Sequence, residues 1–205
     1  MVKRCFDIVM SLIGLTLTAP LLLLIGLMIW LSEGRPVLFR QRRVGHGGRV
    51  FLLYKFRTMR SVPAGQSNGF DAGNVTRVTR LGKVLRKTKL DELPQLWNVL
   101  RGDMSLVGPR PEVEYWVHAY PERWARVLQV RPGITDPAAI AYRHEEEILK
   151  SAAEPELLYR ESVLPRKLTI YEEYLDKRSF WTDLRILVQT LFALFSRHDS
   201  QRIEG

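Results

Sequence analysis

The hydrophobic positions of this chain are concentrated in one long run near the N-terminus. Residues 8–31 are 24 consecutive residues without a charge. As one helix they would rise about 36 Å, enough to cross a hydrocarbon core of about 30 Å. The run is too long for the apolar core of a cleaved signal peptide, and no small-x-small cleavage site precedes a mature-looking start. The pattern therefore predicts a membrane-embedded element.

The centre and the flanks of this run argue against a simple crossing. Pro20 follows Ala19 near the middle, where it cannot donate a hydrogen bond to the carbonyl of Thr16. Each half then reaches about 18 Å, roughly the middle of a bilayer. Both flanks are basic, which favours the cytoplasmic side for both ends: Lys3 and Arg4 before the run, and Arg35, Arg40, Arg42 and Arg43 after it. We therefore predict that residues 1–34 form a re-entrant helix–break–helix. A proline-kinked spanning helix is the alternative.

Residues 35–205 are predicted to form one membrane-associated domain on the cytoplasmic face. Residues 36–59 contain two short β-rich runs around GHGG, a hairpin signal in which glycine supplies the positive φ of the turn. Residues 60–75 are rich in Gly, Ser, Pro and Asn, which predicts a loop. Most of the remaining pattern is helical, so the fold class is α+β, mostly helical.

Several helices are predicted after the hairpin. Residues 78–89 are helical and strongly basic, and the next helix ends at Gly102, with one apolar face formed by Leu93, Leu96, Trp97 and Leu100. Residues 104–108 look extended, and residues 131–137 are predicted to be a Pro/Gly-rich loop. Helix returns over residues 112–130 and 144–176. The apolar residues 179–196 fit a helix lying in the headgroup region, or equally a core helix.

The overall charge points to an anionic partner. Lysine and arginine total 31 against 22 acidic residues, a formal net charge of +9. Such an excess suits nucleic acid, an acidic membrane surface or phosphorylated substrates, but no nucleic-acid-binding motif is recognisable. The single cysteine, Cys5, excludes an internal disulfide.

Two adjacent carboxylates, Asp91 and Glu92, lie where a helix is predicted to begin. Aspartate is a preferred N-cap, and Pro94 falls in the first turn where its missing N–H carries no penalty, so capping is one interpretation. Successive residues at a helix start point about 100° apart, so both carboxylates cannot address one atom. They can serve neighbouring tasks, one attacking a phosphorus atom while the other holds a metal ion.

Basic residues that recur in or beside turns favour the second interpretation. The arginine fork suits phosphate oxygens, and a helix N-terminus also attracts anions. As a group around an acidic pair, these residues indicate a phosphoryl-transfer site: Lys55, Arg57, Arg80, Arg86, Arg110, Arg131 and Arg143.

Three sequence blocks carry a resemblance to a known family. YKFRTM (54–59), LDELPQLWNVLRGDMSLVGPRPE (90–112) and VRPGIT (130–135) together resemble the bacterial sugar transferases. These are small monotopic phosphoglycosyl transferases that begin lipid-linked glycan synthesis. The N-terminal apolar segment, the FRQxRxG run (39–45) and RVTRLGKVLRKT (77–88) extend the resemblance over most of the chain.

The resemblance implies a specific reaction at the bacterial inner membrane. A sugar-1-phosphate would pass from a UDP-sugar to polyprenyl (undecaprenyl) phosphate, releasing UMP. By the family pattern, Asp91 attacks the β-phosphate to form a phosphosugar-aspartyl intermediate and Glu92 binds Mg²⁺, while functional arginines match Arg86, Arg110 and Arg143. An aspartate with an ordinary pKa of about 3.9 is ionised at neutral pH and needs no general base. A homodimer is left open.

Two departures from the family pattern and two competing hypotheses remain. The break is Ala19-Pro20 where many members have Ser-Pro, and Asp136 stands where a Gly usually follows PGIT. The second departure leaves sugar selectivity open, as does the following run Glu145, Glu146 and Glu147. The competing hypotheses are a non-catalytic basic protein that docks on anionic lipid or nucleic acid, and direct transfer in a ternary complex with both carboxylates as metal ligands.

Overall fold

The fold was analysed in a computed structural model that describes residues 2–60, 77–142 and 145–195. Arg143 and residues 61–75 of the predicted loop lie outside the described residues. The helices are α1 Val2–Glu33, α2 Arg80–Lys87, α3 Gln95–Arg101, α4 Glu114–Ala119, α5 Pro121–Val127, α6 Pro137–Ala141, α7 Glu145–Ser151, α8 Pro155–Leu158, α9 Leu164–Asp176 and α10 Phe180–Phe195. The strands are β1 Leu38–Val44, β2 Val50–Phe56, β3 Ser105–Val107 and β4 Gly133–Thr135. The prediction of a mostly helical α+β fold is confirmed.

The apolar N-terminal run forms one uninterrupted helix, α1, with Pro20 inside it. The predicted division into two helices at Ala19-Pro20 is therefore wrong at the level of helix assignment. Continuing the helix leaves few backbone groups unpaired, whereas a break would expose several of them to an apolar medium. The hydroxyls of Thr16 and Thr18 donate to the carbonyls of Leu12 and Gly14, one turn earlier, rather than to the carbonyl that Pro20 leaves free.

Most of the side chains of α1 are not covered by protein. In the part of the chain that the structure describes, α1 is the one helix whose length and apolar composition would allow a membrane crossing, and 11% of its most apolar window is buried. Leu17, Leu23 and Leu31 are each more than 70% exposed. Apolar surface of this extent on a single helix is typical of contact with lipid or with a protein partner.

The first two turns of α1 are tied to the rest of the domain by polar contacts. Lys3 pairs with Asp183 of α10, and Arg4 donates to the carbonyls of Val99 and Leu100 at the end of α3. Asp7 is buried and accepts hydrogen bonds from the Ser105 hydroxyl at 2.8 Å and the Leu106 N–H at 3.2 Å. The start of α1 is therefore anchored on α3, β3 and α10.

The last third of α1 is held by apolar packing instead. Ile25 and Ile29 are buried in one cluster with Phe56 of β2 and Leu85 of α2. The guanidinium of Arg57 also donates to the backbone carbonyls that follow the helix, at residues 33–35. Both ends of α1 therefore contact the same domain.

The predicted hairpin is confirmed. β1 and β2 pair antiparallel from Leu38 opposite Phe56 to Val44 opposite Val50. A short 3₁₀ turn, His46–Gly48, joins them, and Gly47 and Gly48 adopt φ values of 64° and 77°. These left-handed conformations are the ones that favour glycine, as the GHGG motif predicts.

The sequence pattern predicts one of the two strands of a second, smaller sheet. β3 matches the predicted extended segment, but β4 forms within residues 131–137, which were predicted to be a loop. The two strands pair in parallel, Ser105 with Gly133 and Val107 with Thr135. A Cβ on Gly133 would lie 2.1 Å from the Gly108 nitrogen, so only glycine allows this approach. β4 begins with Gly133 directly after Pro132, and this Pro-Gly pair is typical of a loop.

The helical prediction holds with changed boundaries. Residues 112–130 divide into α4 and α5, because Pro121 disfavours a helical conformation at Tyr120. Residues 145–176 divide into α7, α8 and α9, with a π turn at Tyr159–Val163. The largest core cluster lies among these helices and includes Trp124, Leu149, Leu168 and Tyr171.

The C-terminal helix α10 has two different apolar faces. Ile186 is buried with Val107 and Tyr174, and the Tyr174 hydroxyl donates to Asp183 at 2.6 Å. Trp181 and Phe192 are more than 70% exposed on the opposite side. The helix therefore packs on the domain and also presents an uncovered aromatic surface.

We predict that Asp7→Ala lowers stability by about 2 kcal/mol, because it leaves the Ser105 hydroxyl and the Leu106 N–H without their buried acceptor. For a chain of this length that corresponds to about 6 °C in melting temperature. Thermal unfolding of the full chain in detergent measures it. The control is Cys5→Ala, an exposed residue in the same helix. Wild-type melting of the Asp7→Ala protein would contradict the anchoring role.

Candidate active site

The Glu92 carboxylate forms ion pairs with two basic side chains that are distant from it in the sequence. Its Oε1 accepts from Lys55 Nζ at 2.9 Å and from Arg110 Nη2 at 2.6 Å, and its Oε2 lies 3.4 Å from Arg110 Nη1. Burial alone would raise the pKa of Glu92. The charges of Arg110 and Lys55 outweigh it and hold this pKa well below its ordinary value of 4.5. Glu92 is therefore ionised at any physiological pH.

Asp91, the neighbouring carboxylate, has a different environment. It is 6% exposed, and its Oδ1 has no hydrogen-bond partner among the described residues. Burial raises the pKa of Asp91 above its ordinary value of 3.8, and the charge of Lys55 opposes this shift. A buried carboxylate oxygen without a donor is energetically costly. Such a group is unusual unless it has a chemical task.

The capping interpretation of Asp91 is not supported by this geometry. Asp91 lies in the 3₁₀ turn Leu90–Glu92, and the residue that precedes α3 is Pro94, which makes no side-chain cap. Lys89 enters the turn in a left-handed conformation, with φ of 57° and ψ of 15°. Side-chain-bearing residues adopt it at some energetic expense, and such strain clusters at functional sites.

The two carboxylates are adjacent in sequence but have opposite pKa shifts. The pKa of Asp91 is raised by burial, whereas that of Glu92 is lowered by its paired cations. Adjacent acids whose environments separate their pKa values are typical of sites where the two groups have different roles. A poorly solvated, more basic carboxylate suits a nucleophile, and a permanently charged one suits binding of cations.

Three chain segments converge to make this arrangement. Lys55 lies near the end of β2, Glu92 lies in the 3₁₀ turn before α3, and Arg110 lies in the turn that follows β3. The charge of Glu92 raises the pKa of Arg110, which stays protonated. Burial lowers the pKa of Lys55, while Glu92 opposes that shift.

The other predicted phosphate-binding residues are less concentrated. Arg86 donates to the Thr58 hydroxyl at 3.0 Å, so it lies on α2 beside the end of the hairpin. Arg80 is exposed at the first turn of α2, and Arg131 is exposed and donates to the Gly102 carbonyl at 3.0 Å. The guanidinium of Arg57 is engaged with the end of α1, as described above. The structure thus brings Lys55 and Arg110 onto the acidic pair, whereas the contacts of Arg57, Arg80, Arg86 and Arg131 described here are with other parts of the chain.

A second polar cluster lies near Arg110. Asp136, which the sequence marks only as a departure from the family pattern, is fully buried, and its charge acts on both Arg110 and Tyr171. Lys167 is also buried and pairs with Glu145 at 2.9 Å. Tyr171 and Lys167 lie on α9, far along the chain, and nothing in their local sequence marks them as neighbours of the site.

The donor set limits what kind of metal site is feasible. Among the described residues, no group of three or more His, Cys, Asp or Glu side chains is arranged to hold a metal ion. Mg²⁺ commonly uses one or two carboxylates and completes its shell with substrate phosphates and water. Asp91 Oδ1 has no partner, and Glu92 Oε2 has only a long contact with Arg110. These residues fit a magnesium ion shared with a phosphate substrate.

In a comparison with known protein families, the family model described as bacterial sugar transferase matches residues 1–197 of this chain. The chain is 40% identical over 198 residues to the UDP-glucose:undecaprenyl-phosphate glucose-1-phosphate transferase of Caulobacter vibrioides, covering 95% of this chain and 70% of that protein.

Two further relatives are longer than this chain. It is 38% identical over 208 residues to the undecaprenyl-phosphate glucose phosphotransferase of Komagataeibacter xylinus, covering 96% of this chain and 36% of that protein. It is 42% identical over 144 residues to the UDP-N-acetylgalactosamine-undecaprenyl-phosphate N-acetylgalactosaminephosphotransferase of Aeromonas hydrophila, covering 69% of this chain and 34% of that protein. The chain therefore spans about a third of each of these two relatives.

We predict that Glu92→Gln lowers the free energy of unfolding at neutral pH by about 2 kcal/mol, because it removes the charge that Lys55 and Arg110 neutralise. The folded-state pKa of Glu92 is below its unfolded value of about 4.5. Its contribution is therefore fully present above that value and is lost as the pH falls through the folded pKa. Denaturant unfolding measured from neutral pH into the acid range tests this.

The matched control for this prediction is Glu114→Gln. Glu114 and Arg42 form an exposed pair at 3.4 Å, which should contribute little. The wild type and Glu92→Gln should converge at low pH, while Glu114→Gln stays close to the wild type throughout. A difference between wild type and Glu92→Gln that is independent of pH would contradict the ion-pair interpretation.

Proposed function

Because this chain belongs to the bacterial sugar transferase family, we propose that it transfers a sugar-1-phosphate from a UDP-sugar to polyprenyl (undecaprenyl) phosphate. The products are a polyprenyl-diphosphate sugar and UMP. The observation that carries the proposal is the buried Asp91 carboxylate with an unpartnered oxygen, adjacent to Glu92 and its two cations. That combination supplies a nucleophile and positive charge for a diphosphate at one place.

In the first step, a carboxylate oxygen of Asp91 attacks the β-phosphorus of the UDP-sugar. An acyl-phosphate bond forms, the bond from that phosphorus to the bridging oxygen breaks, and UMP leaves. Asp91 needs no general base, since its ionised form is the nucleophile. Burial leaves this carboxylate poorly solvated and more basic, which favours attack.

In the second step, an oxygen of the polyprenyl phosphate attacks the same phosphorus. The aspartyl-phosphate bond breaks, which restores Asp91 and completes the diphosphate. A two-step route needs one phosphate-binding site used twice rather than two sites side by side. This economy suits a domain with few described cations next to the nucleophile, namely Lys55, Lys89 and Arg110.

Lys55 and Arg110 are proposed to bind the phosphate oxygens, with Glu92 orienting both side chains. Glu92 would also bind Mg²⁺, which when bound neutralises the diphosphate and stabilises the departing UMP. Arg86 is proposed to contact the nucleotide phosphates from α2. The same role for Arg143 is carried by the family pattern alone.

The contacts of α1 support a proposed position of the protein at the membrane surface. If α1 crossed a bilayer, its two ends would lie on opposite faces, yet residues 3–7 and 25–29 contact the same domain. This supports the proposal that both ends lie on the cytoplasmic face, with the exposed middle of α1 entering the lipid. The exposed aromatics of α10, Trp181 and Phe192, are proposed to rest in the headgroup region, where amphipathic rings are favoured. A water-soluble UDP-sugar and a lipid phosphate meet at that boundary.

The sugar itself is not assigned. The names of the relatives include both glucose and N-acetylgalactosamine, so similarity at this level covers more than one sugar. We propose that the product is the first lipid-linked intermediate of a surface glycan, such as an exopolysaccharide or an O-antigen.

We predict that the purified full chain releases UMP from at least one UDP-sugar when Mg²⁺ and polyprenyl phosphate are present, and that Asp91→Asn abolishes release while the protein remains folded. The amide cannot act as a nucleophile, and it replaces a costly buried charge, so thermal stability should not fall. The control is Asp176→Asn, an exposed aspartate paired with Arg126. No release with any UDP-sugar would favour the non-catalytic, lipid-binding alternative, and an active Asp91→Asn would exclude Asp91 as the nucleophile.

We predict that a UDP-sugar labelled in the β-phosphate leaves label on the wild-type protein when no acceptor is added, and none on Asp91→Asn. An acyl phosphate is labile to base and to hydroxylamine, so loss of label after either treatment identifies the bond. Release of UMP on acceptor addition without any trapped label under acid or detergent quench would favour the ternary-complex mechanism instead.

We predict that single cysteines at positions 2 and 35 are both labelled by an impermeant thiol reagent only from the cytoplasmic side. Val2 and Arg35 are exposed, so each site is accessible to the reagent. Cys5 is replaced by Ser in both proteins to remove background. Labelling of position 2 from the periplasm would make α1 a spanning helix without affecting the catalytic proposal.

A further inference from the structure

The Glu92 carboxylate is already engaged with basic side chains in the observed arrangement. Its Oε1 accepts from both Lys55 and Arg110, and Arg110 also approaches its Oε2 at 3.4 Å. A divalent cation that binds both oxygens of this carboxylate therefore has to displace a donor. Arg110 is the donor that contacts both oxygens, so it is the one that such a cation displaces.

Arg110 and Asp136 follow the two neighbouring strands of the small sheet. β3 and β4 are parallel, so their carboxyl ends meet at one edge, with the Gly108 N–H donating to the Thr135 carbonyl at 3.1 Å. Arg110 follows β3 by three residues and Asp136 follows β4 directly. The Gly133 N–H donates back to the Pro109 carbonyl at 3.0 Å, which closes the two turns onto each other.

The Asp136 carboxylate is only half used by its own surroundings. It is 0% exposed, and its Oδ1 accepts the Ala139 N–H at 2.8 Å, which caps α6. Its Oδ2 is buried without a hydrogen-bond partner among the described residues. The capping role explains one oxygen and leaves the other without a function.

Two basic side chains act on the charge of Asp136, Lys167 more strongly than Arg110. Lys167 is held by Glu145 at 2.9 Å and lies 5.4 Å from the ring centre of Tyr159. Both hydrogen bonds that Arg110 donates to described residues go to Glu92. Arg110 is therefore the cation that a competing ligand at Glu92 would release.

We propose that Asp136 is a positioning residue that receives Arg110 when Glu92 binds its metal ion, so that Glu92 becomes available while Arg110 stays at the phosphate site. This inference rests on the metal-binding role proposed for Glu92. A second carboxylate offsets the loss of the first ion pair.

Mn²⁺ binding tests this inference without turnover. Free Mn²⁺ is measured by electron paramagnetic resonance as it is titrated into the detergent-solubilised full chain with UDP present. Glu92→Gln defines the binding that depends on Glu92. Asp136→Asn keeps an oxygen for the Ala139 N–H but removes the charge, and we expect it to weaken Mn²⁺ binding by about tenfold, the usual size for a residue that supports a metal ligand. Its melting temperature should stay near that of the wild type.

A double-mutant cycle separates action through Arg110 from a direct electrostatic effect on the ion. In an Arg110→Gln background Asp136 has no guanidinium with which to pair, so Asp136→Asn should no longer change Mn²⁺ binding. Asp176→Asn serves as the control for loss of an exposed carboxylate.

Three outcomes would overturn the inference. Wild-type Mn²⁺ affinity in Asp136→Asn, with only Asp136→Ala losing stability, would reduce Asp136 to a helix cap and overturn the inference. The same weakening with and without Arg110 would overturn it too, as would Mn²⁺ binding that does not depend on Glu92. A cycle that behaves as expected supports the inference even if no UDP-sugar is turned over, a result that would count against the proposed function alone.

Discussion

The arrangement of this site depends on the ion pairs of Glu92. One carboxylate holds Lys55 from β2 and Arg110 from the turn after β3, and its own 3₁₀ turn leads into α3. Three segments with no local sequence relationship are thereby fixed to a common point. Burial would make any of these charges unfavourable alone, and together they offset one another. Asp91 remains beside them as the carboxylate without such compensation.

The difference between the two acids follows from which of them faces the cations. Glu92 is neutralised by close hydrogen-bonded partners, so its pKa falls despite burial. Asp91 experiences the same burial with weaker compensation, so its pKa rises. A site that stabilised both carboxylates equally would leave neither reactive. The structure therefore gives two consecutive acids opposite pKa shifts.

Two sets of contacts link helix α1 to the segments that carry the basic residues of the site. Asp7 of α1 accepts hydrogen bonds from Ser105 and Leu106 of β3, and β3 leads directly to the turn that carries Arg110. At the other end, Ile25 and Ile29 pack against Phe56, the residue after Lys55. The apolar helix thus contacts both the strand that carries Lys55 and the strand that leads to Arg110. Under the proposed function, the same helix that sits in lipid also holds the phosphate-binding side chains.

The sequence by itself determined the elements whose signal is local. The charge-free run over residues 8–31, the GHGG turn, the basic helix and the motif around Asp91 were all recognisable, and with them the family and the chemistry expected of it. Phosphate binding by Lys55 and Arg110 could be predicted because their motifs are recognisable, but their contacts with Glu92 could not be predicted. Side-chain chemistry and short-range periodicity depend on residues close together in the sequence, so they can be recognised without knowing the tertiary structure.

Only the tertiary structure decided how distant residues meet. It kept α1 continuous through Pro20, because the surrounding helical hydrogen bonds outweigh the loss of one. It formed β4 from a segment that looked like a loop, because its pairing partner β3 lies nearly thirty residues earlier. It also buried Asp136 behind Arg110 and engaged Arg57 with the end of α1. Burial and pairing across the chain set these outcomes, and neither is encoded in the residues next to the one in question.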